Sequence, residues 1–324
     1  MTTMKQIVIT VDTEEEGLWG GCFAVTGNTT ENLRGLARFQ AACEELSAPP
    51  TYLVDAPVLD DRVATNQLRT WQRENRCEVG AHCHPWCNPP LQANPPTIKE
   101  TYLCNLPVEL QMEKLKWLTV RIGDVMGRAP TSYRSGRYGF DRHTATILDD
   151  LGYQVDSSLL PLFDYRRDGG PDFTMSPRKP FRYFGNESER KLIEVPVTSG
   201  FTRPGYQRKR KLWTGLRSQP WAQLRLSGIS DRLGLTRRVK LSPEKYGIQD
   251  LKKLIDASVI DGLTTMVLML HSSSLVPGMS PYARTDSDLD SFYKTMTSAI
   301  AHAMTEHGFR PATLTQSAVP KSIV

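Results

Sequence analysis

Short runs rich in Val, Ile, Thr and Tyr alternate with amphipathic stretches along the chain, which predicts strands wrapped by helices and not a sandwich or a bundle. Candidate strands fall at residues 7–11, 51–54, 77–80, 131–133, 153–155, 192–197, 265–270 and 312–315. Between them, segment 31–46 spaces Leu33, Leu36, Phe39, Cys43 and Leu46 three or four apart, with Thr30 available as an N-cap. Segment 108–126 repeats that spacing with Val108, Leu115, Leu118, Ile122 and Val125 and stops before Gly127. Segment 287–307 does so with Leu289, Phe292, Met296, Ala299 and Ala303 and stops at Gly308. The pattern predicts one α/β domain over 1–324, a distorted or incompletely closed (β/α) barrel of about seven parallel strands.

Composition sharpens one region. The 324 residues are 39% apolar and 23% charged, which suits a globular chain and excludes a disordered or collagen-like one. Residues 201–240 hold eleven Lys and Arg against the single acid Asp231, while the whole chain is only +5, so the remainder is net acidic. This basic stretch also carries Trp213, Leu216, Trp221, Leu224, Leu226, Ile229 and Leu233, and it interrupts the alternation as an insertion. Two roles suit it equally. One is a helix on an anionic membrane surface, where each basic residue contributes about 1 kcal/mol. The other is a lid over a cleft with a solvated basic face. A nucleic-acid partner is not expected, since no helix-turn-helix, zinc finger or RNA module is present. The start, MTTMKQIVIT, lacks a secretory pattern, so the expected location is cytoplasmic, at most peripheral to the inner membrane face. The six cysteines are then expected reduced, and Asn28 and Asn186 unglycosylated.

Unusual polar residues follow the predicted strands. Asp12 and Glu14 follow the first, His82 and His84 the third, Arg134 the fourth and Asp156 the fifth, and His271 ends the run MVLML. In (β/α) domains the carboxyl ends of the strands share one face, so these groups are expected to converge. Singly, a carboxylate here is as readily a helix cap and a histidine a structural residue. Jointly they read as an active site.

Five motifs, in order from residue 7 to about 315, resemble those of the NodB-homology polysaccharide deacetylases, nearest their WalW-like branch. They are VDTEEE (11–16), GAHCHPWCNPP (80–90), SYRSGRYGF (132–140), GYQVDSSLLP (152–161) and LMLHSSSLVPGMSPY (268–282). The resemblance implies a metal-dependent hydrolase that removes N-acetyl groups from a polysaccharide, glycolipid or lipid-linked sugar. Asp12 would be the general base, Arg134 would hold it ionised, Glu14 and His82 would bind the metal, His271 would be the general acid, and Asp156 would tune that imidazole.

One departure concerns the second metal histidine, which the family places four residues from the first. Four beyond His82 stands Trp86 and four before it Glu78, which leaves His84 as the partner, with Cys83 and Cys87 as rivals. Residues two apart on a strand face the same side, so joint ligation by His82 and His84 is sterically allowed. Two histidines and a carboxylate suit a divalent ion, zinc first, with open positions. Such an ion can lower the pKa of water from about 15.7 toward 7. Glu15, Glu16 and Glu194 are reserve carboxylates, and His143, His302 and His307 read as structural. Two other readings remain open at this point: a glycan-binding pseudoenzyme, supported by the shortened histidine spacing, and an amidase acting on a non-sugar amide.

Overall fold

The computed structural model describes residues 4–184, 190–217 and 236–318. Its strands are β1 (Gln6–Thr13), β2 (Thr51–Val54), β3 (Glu78–Cys83), β4 (Ser132–Ser135), β5 (Val155–Asp156), β6 (Phe181–Arg182), β7 (Ile193–Glu194), β8 (Ser199–Phe201), β9 (Arg238–Lys240), β10 (Thr265–His271) and β11 (Arg310–Ala312). The main sheet runs β10-β1-β2-β3-β4-β5-β7-β6, with β11 against the start of β1. Seven strands from β10 to β7 are parallel, and β6 closes the edge antiparallel to β7.

Among the described residues no ladder joins β7 to β10. The gap is spanned instead by single residues. Thr198 donates its N–H to the Val267 carbonyl (3.2 Å) and accepts from Val267 N on its hydroxyl (2.8 Å). Leu241 donates to the Thr198 carbonyl (2.8 Å) and accepts from Met269 N (3.1 Å). The expected barrel therefore exists and is incompletely closed.

The helices among the described residues are α1 (Leu36–Glu45), α2 (Arg62–Arg73), α3 (Val108–Met126), α4 (Arg142–Asp150), α5 (Tyr206–Arg217), α6 (Ile248–Ile260), α7 (Asp286–His307) and α8 (Leu314–Ala318). The period of two along β1 sorts its residues between two cores. Ile7, Ile9 and Val11 pack with Leu36, Phe39, Leu254, Phe292 and Met296 of the helices, while Val8 turns inward to Leu53, Val155, Val195 and Val267. Leu314 and Ala318 of α8 join the inner cluster, so this helix plugs the amino end of the barrel. The carboxyl end is left to polar side chains.

Element bounds differ from expectation where backbone chemistry intervenes. The third strand runs on to Cys83, which takes His82 into the ladder. The run 192–197 counts as strand only at Ile193–Glu194, although Val195 N still donates to the Asp156 carbonyl (2.8 Å) and Val197 N to the Leu159 carbonyl (3.0 Å). The expected last strand ends at Ala312, and the chain turns helical from Leu314. Segment 31–46 opens as a tight turn at Glu31–Gly35 before α1 begins. Helix α2, not singled out in the sequence, buries Ala64, Thr65, Leu68 and Trp71 at the spacing of one helical face.

The basic stretch leaves and returns at one place, because β8 and β9 pair antiparallel (Phe201 opposite Arg238). Trp213, one of the apolar residues of this stretch, is buried among Leu162, Phe201 and Tyr206, with the Arg238 guanidinium 4.3 Å from its ring centroid. Trp221 and the rest of 218–235 lie outside the described residues. No helix among the described residues is long and apolar enough to cross a membrane.

Gly80 shows how closely β3 is held against β2 and β4. A Cβ there would meet the Ser132 hydroxyl, and would stand 2.7 Å from both Leu53 Cδ2 and the Ser132 carbonyl oxygen. Gly80→Ala is expected to destabilise the fold by about 1–3 kcal/mol through overpacking, read as a lower melting temperature. Unchanged melting would contradict this packing.

Candidate active site

Strand parity and register bring the polar residues together. Asp12 lies opposite His271 on β10, and His82 lies opposite Arg134 on β4. Arg134 is fully buried and fully engaged: Nη1 donates to Asp12 Oδ1 (2.6 Å), Nε to the Ser157 carbonyl (2.9 Å) and Nη2 to the Ser157 hydroxyl (3.1 Å). Burial pushes the Asp12 carboxyl up, but the Arg134 charge, helped by His82 and His271, outweighs it and holds the pKa at about 2. Asp12 is therefore ionised at neutral pH.

Beside this pair three donors converge. Glu14 Oε2 stands 3.3 Å from His82 Nε2 and 3.4 Å from His84 Nε2, and the two nitrogens are 3.1 Å apart. A tetrahedral ion with bonds of about 2.0–2.1 Å separates its ligands by roughly 3.3 Å, so the three edges fit one ion. The outer nitrogens agree. His82 Nδ1 donates to the Arg134 carbonyl (2.9 Å) and His84 Nδ1 to Glu15 Oε2 (2.7 Å), which directs both Nε2 lone pairs at the shared point. Glu14 is set by Ser272, whose hydroxyl accepts from Glu14 N (3.1 Å), and by Asn32, which donates to the Glu14 carbonyl (2.9 Å).

Glu15 is itself held. Trp86 Nε1 (2.8 Å) and Cys87 Sγ (3.5 Å) donate to Oε1, and the Glu15 N–H donates to Asp55 Oδ2 (3.0 Å). Burial raises the Glu15 carboxyl, yet His84 with the Asp55 and Trp86 contacts holds it well below the usual range, while burial and Glu15 push its neighbour Asp55 up. The Trp86 ring stacks on His84 at 4.3 Å. Of the rival thiols, burial raises Cys83 to about 12 and raises Cys87 strongly, and Cys87 lies with Glu15, Asp55 and His84 in a group of closely spaced potential ligands beside that of Glu14, His82 and His84.

His271 Nδ1 donates to Glu244, with Oε1 at 2.8 Å and Oε2 at 3.0 Å, and its Nε2 faces Asp12 Oδ2 at 3.9 Å. Burial lowers this imidazole, but Glu244, then Glu14 and Asp12, outweigh it and raise it to about 9. The same His271 pulls Glu244 below its ordinary value against the opposing effect of burial. A cavity of about 150 Å³ opens over these groups, walled by Trp19, Phe23, Trp86, Arg137 and Tyr138. Trp19 meets His271 edge-on at 5.1 Å and is fixed by an indole N–H bond to the Ser273 hydroxyl (3.0 Å).

The sequence-predicted set Asp12, Glu14, His82, His84, Arg134 and His271 thus meets at one face, and Asp156 does not join it. Asp156 is in register with Tyr133 and Glu194, so strand parity turns it to the other side of the sheet, where it accepts from the Ser158 hydroxyl (2.6 Å) and N–H (3.0 Å). The carboxylate on His271 is Glu244. Nothing in the sequence singled Glu244 out, for it lies in a loop 27 positions before its partner. Asp55 was likewise missed, although it follows a predicted strand as Asp12 does. Of the reserve carboxylates, Glu15 supports His84, Glu194 lies beside Asp156, and Glu16 accepts from Thr29 (2.8 Å) and Asn32 N (2.6 Å).

Solved structures share this architecture. A provisionally assigned polysaccharide deacetylase from Mycobacterium smegmatis is similar at TM-score 0.52 and 15% identity, over 98% of this chain and 91% of its own. A provisionally assigned glycoside hydrolase/deacetylase from Parabacteroides distasonis is similar at TM-score 0.60 and 11% identity, over 97% of this chain and 70% of its own. The fold is that of the polysaccharide deacetylases. No family model matches the chain, and no curated protein matches it in sequence. In the deacetylase fold of this chain, the carboxyl ends of β1, β3, β4 and β10 carry the cluster described above.

The depressed Asp12 carboxyl has a consequence for acid stability. Its folded pKa of about 2 lies below the ordinary aspartate value of 3.8, so its contribution is present above pH 4 and lost as pH falls toward 2, about 2 kcal/mol in all. In chelator-treated protein, Asp12→Asn is expected to flatten the loss of denaturant stability over this range. Equal slopes in both proteins would contradict the ion pair.

Proposed function

We propose that the chain is a divalent-metal-dependent hydrolase that removes N-acetyl groups from a sugar. The observation that carries it is the convergence of Glu14, His82 and His84 on one point with ligand-like edges, beside an ionised Asp12 and a His271 raised to about 9. The donor set favours zinc. A bound ion supplies Lewis acidity, activating water and polarising the amide carbonyl.

The chain's own groups supply the proton transfers. Asp12, kept ionised by Arg134, accepts the proton of the attacking water. His271 is protonated at neutral pH and gives its Nε2 proton to the leaving amine, while Glu244 holds Nδ1–H and fixes the ring. Glu15 and the Arg134 carbonyl orient the two metal imidazoles. The roughly 150 Å³ cavity takes the amide and its acyl group, with the aromatic rim of Trp19, Phe23 and Tyr138 meeting the rest of the substrate. A polysaccharide, glycolipid or lipid-linked glycan all meet this description. The exposed Arg203, Arg208 and Lys211 around α5 support an anionic or surface-held substrate.

Purified protein is expected to release acetate from N-acetylhexosamine oligomers or lipid-linked N-acetylated sugars and to lose that activity on chelation. Asp12→Asn and His271→Ala should each lower kcat by about 10²–10⁴-fold. Acetate release unaffected by chelator and by both substitutions would refute the proposal. Activity confined to non-sugar acetamides would keep the chemistry and remove the sugar.

The pH profile tests His271 separately. As the acid it must carry its proton, so the rate should fall as pH rises through about 9. Removing the carboxylate charge with Glu244→Gln should move that alkaline limb lower by about one unit. A limb that stays in place would assign it to another group.

A further inference from the structure

We propose that Asp256, His302 and His307 form a second transition-metal site, on the face of the barrel opposite the cleft. His302 Nε2 stands 2.6 Å and His307 Nε2 2.7 Å from the same oxygen, Asp256 Oδ1, and the two imidazole rings are 5.3 Å apart at 86°. Asp256 lies near the end of α6, and both histidines lie in the closing turns of α7. The site is anchored to the start of the sheet, because Lys5 Nζ donates to the His307 carbonyl (3.1 Å). Lys5 precedes β1 and Glu14 follows it, which puts the two clusters roughly 30 Å apart along an extended strand.

Three features favour a cation. Two imidazole nitrogens and a carboxylate oxygen select zinc, copper, nickel or cobalt over magnesium or calcium. The carbonyl ends of two helices meet there, and their dipoles attract positive charge. The side chains are partly open to solvent, at 46% for Asp256, 15% for His302 and 21% for His307, which leaves room for water as a further ligand. An ion requires the donors to part to roughly 3.3 Å, and the half-exposed Asp256 can retreat that far. The ion would staple α6 to α7 at the base of the barrel.

Equilibrium dialysis of the full chain against Zn²⁺ at pH 8 tests this. Two equivalents are expected for the unaltered protein, one for His302→Ala, one for Asp256→Asn and one for the double variant Glu14→Gln/His82→Ala. In that double variant Zn²⁺ should still raise Tm, and adding His302→Ala should abolish the rise. Unchanged stoichiometry in both His302→Ala and Asp256→Asn would show that the three side chains only hydrogen-bond one another, and would overturn the site. Loss of an equivalent there, with none lost in the double variant, would uphold this site and remove the one in the cleft.

Discussion

The guanidinium of Arg134 is the constraint on which the candidate site rests. It sits on β4 with no exposure to solvent and reaches Asp12 on β1 and the residue after β5, while the backbone carbonyl of the same residue accepts from His82 on β3. A buried cation of this kind is tolerated only when every donor finds an acceptor. Meeting that demand fixes β4 relative to β1 and to the residue after β5. The charge of Asp12 and the tautomer of His82, two properties that hydrolysis would need, follow from one residue, the first from its side chain and the second from its backbone carbonyl.

A second layer repeats the logic for each imidazole. His84 is set by Glu15, and Glu15 by Trp86, Cys87 and the Asp55 loop; His271 is set by Glu244, which also accepts from the Ser274 hydroxyl at 3.0 Å. Each ring presents Nε2 to the cleft because Nδ1 is bound behind it. The inner shell is thus oriented by buried carboxylates, and burial alone would have pushed these rings toward the neutral form. Opposite charge close by reverses that for His271.

The seven-stranded architecture was legible because parallel strands are apolar on both faces and read as continuous runs. The site residues at strand ends were legible for the same reason, as polar breaks after those runs. Two features were not. Asp156 stands at a strand end like Asp12, but a shift of one position in parity turns it to the opposite side, and a motif does not record parity. Glu244 reaches His271 from a loop beyond β9, a contact made only by three-dimensional folding. Composition also left the setting of Trp213 open, between a membrane-facing helix and a lid, whereas in the fold its ring is buried and covered by an arginine.

The pairing of Asp12 with His271, and of His82 with Arg134, on shared rungs of the sheet bears on how such a chain can evolve. Side chains alternate between faces with a period of two. Adding or deleting one residue within β1, β3, β4 or β10 would turn a whole row of inward groups toward the helices, whatever residue was involved. The lengths of these strands are therefore as constrained as the site residues they carry, and a change of length is accommodated more readily in the connections between them.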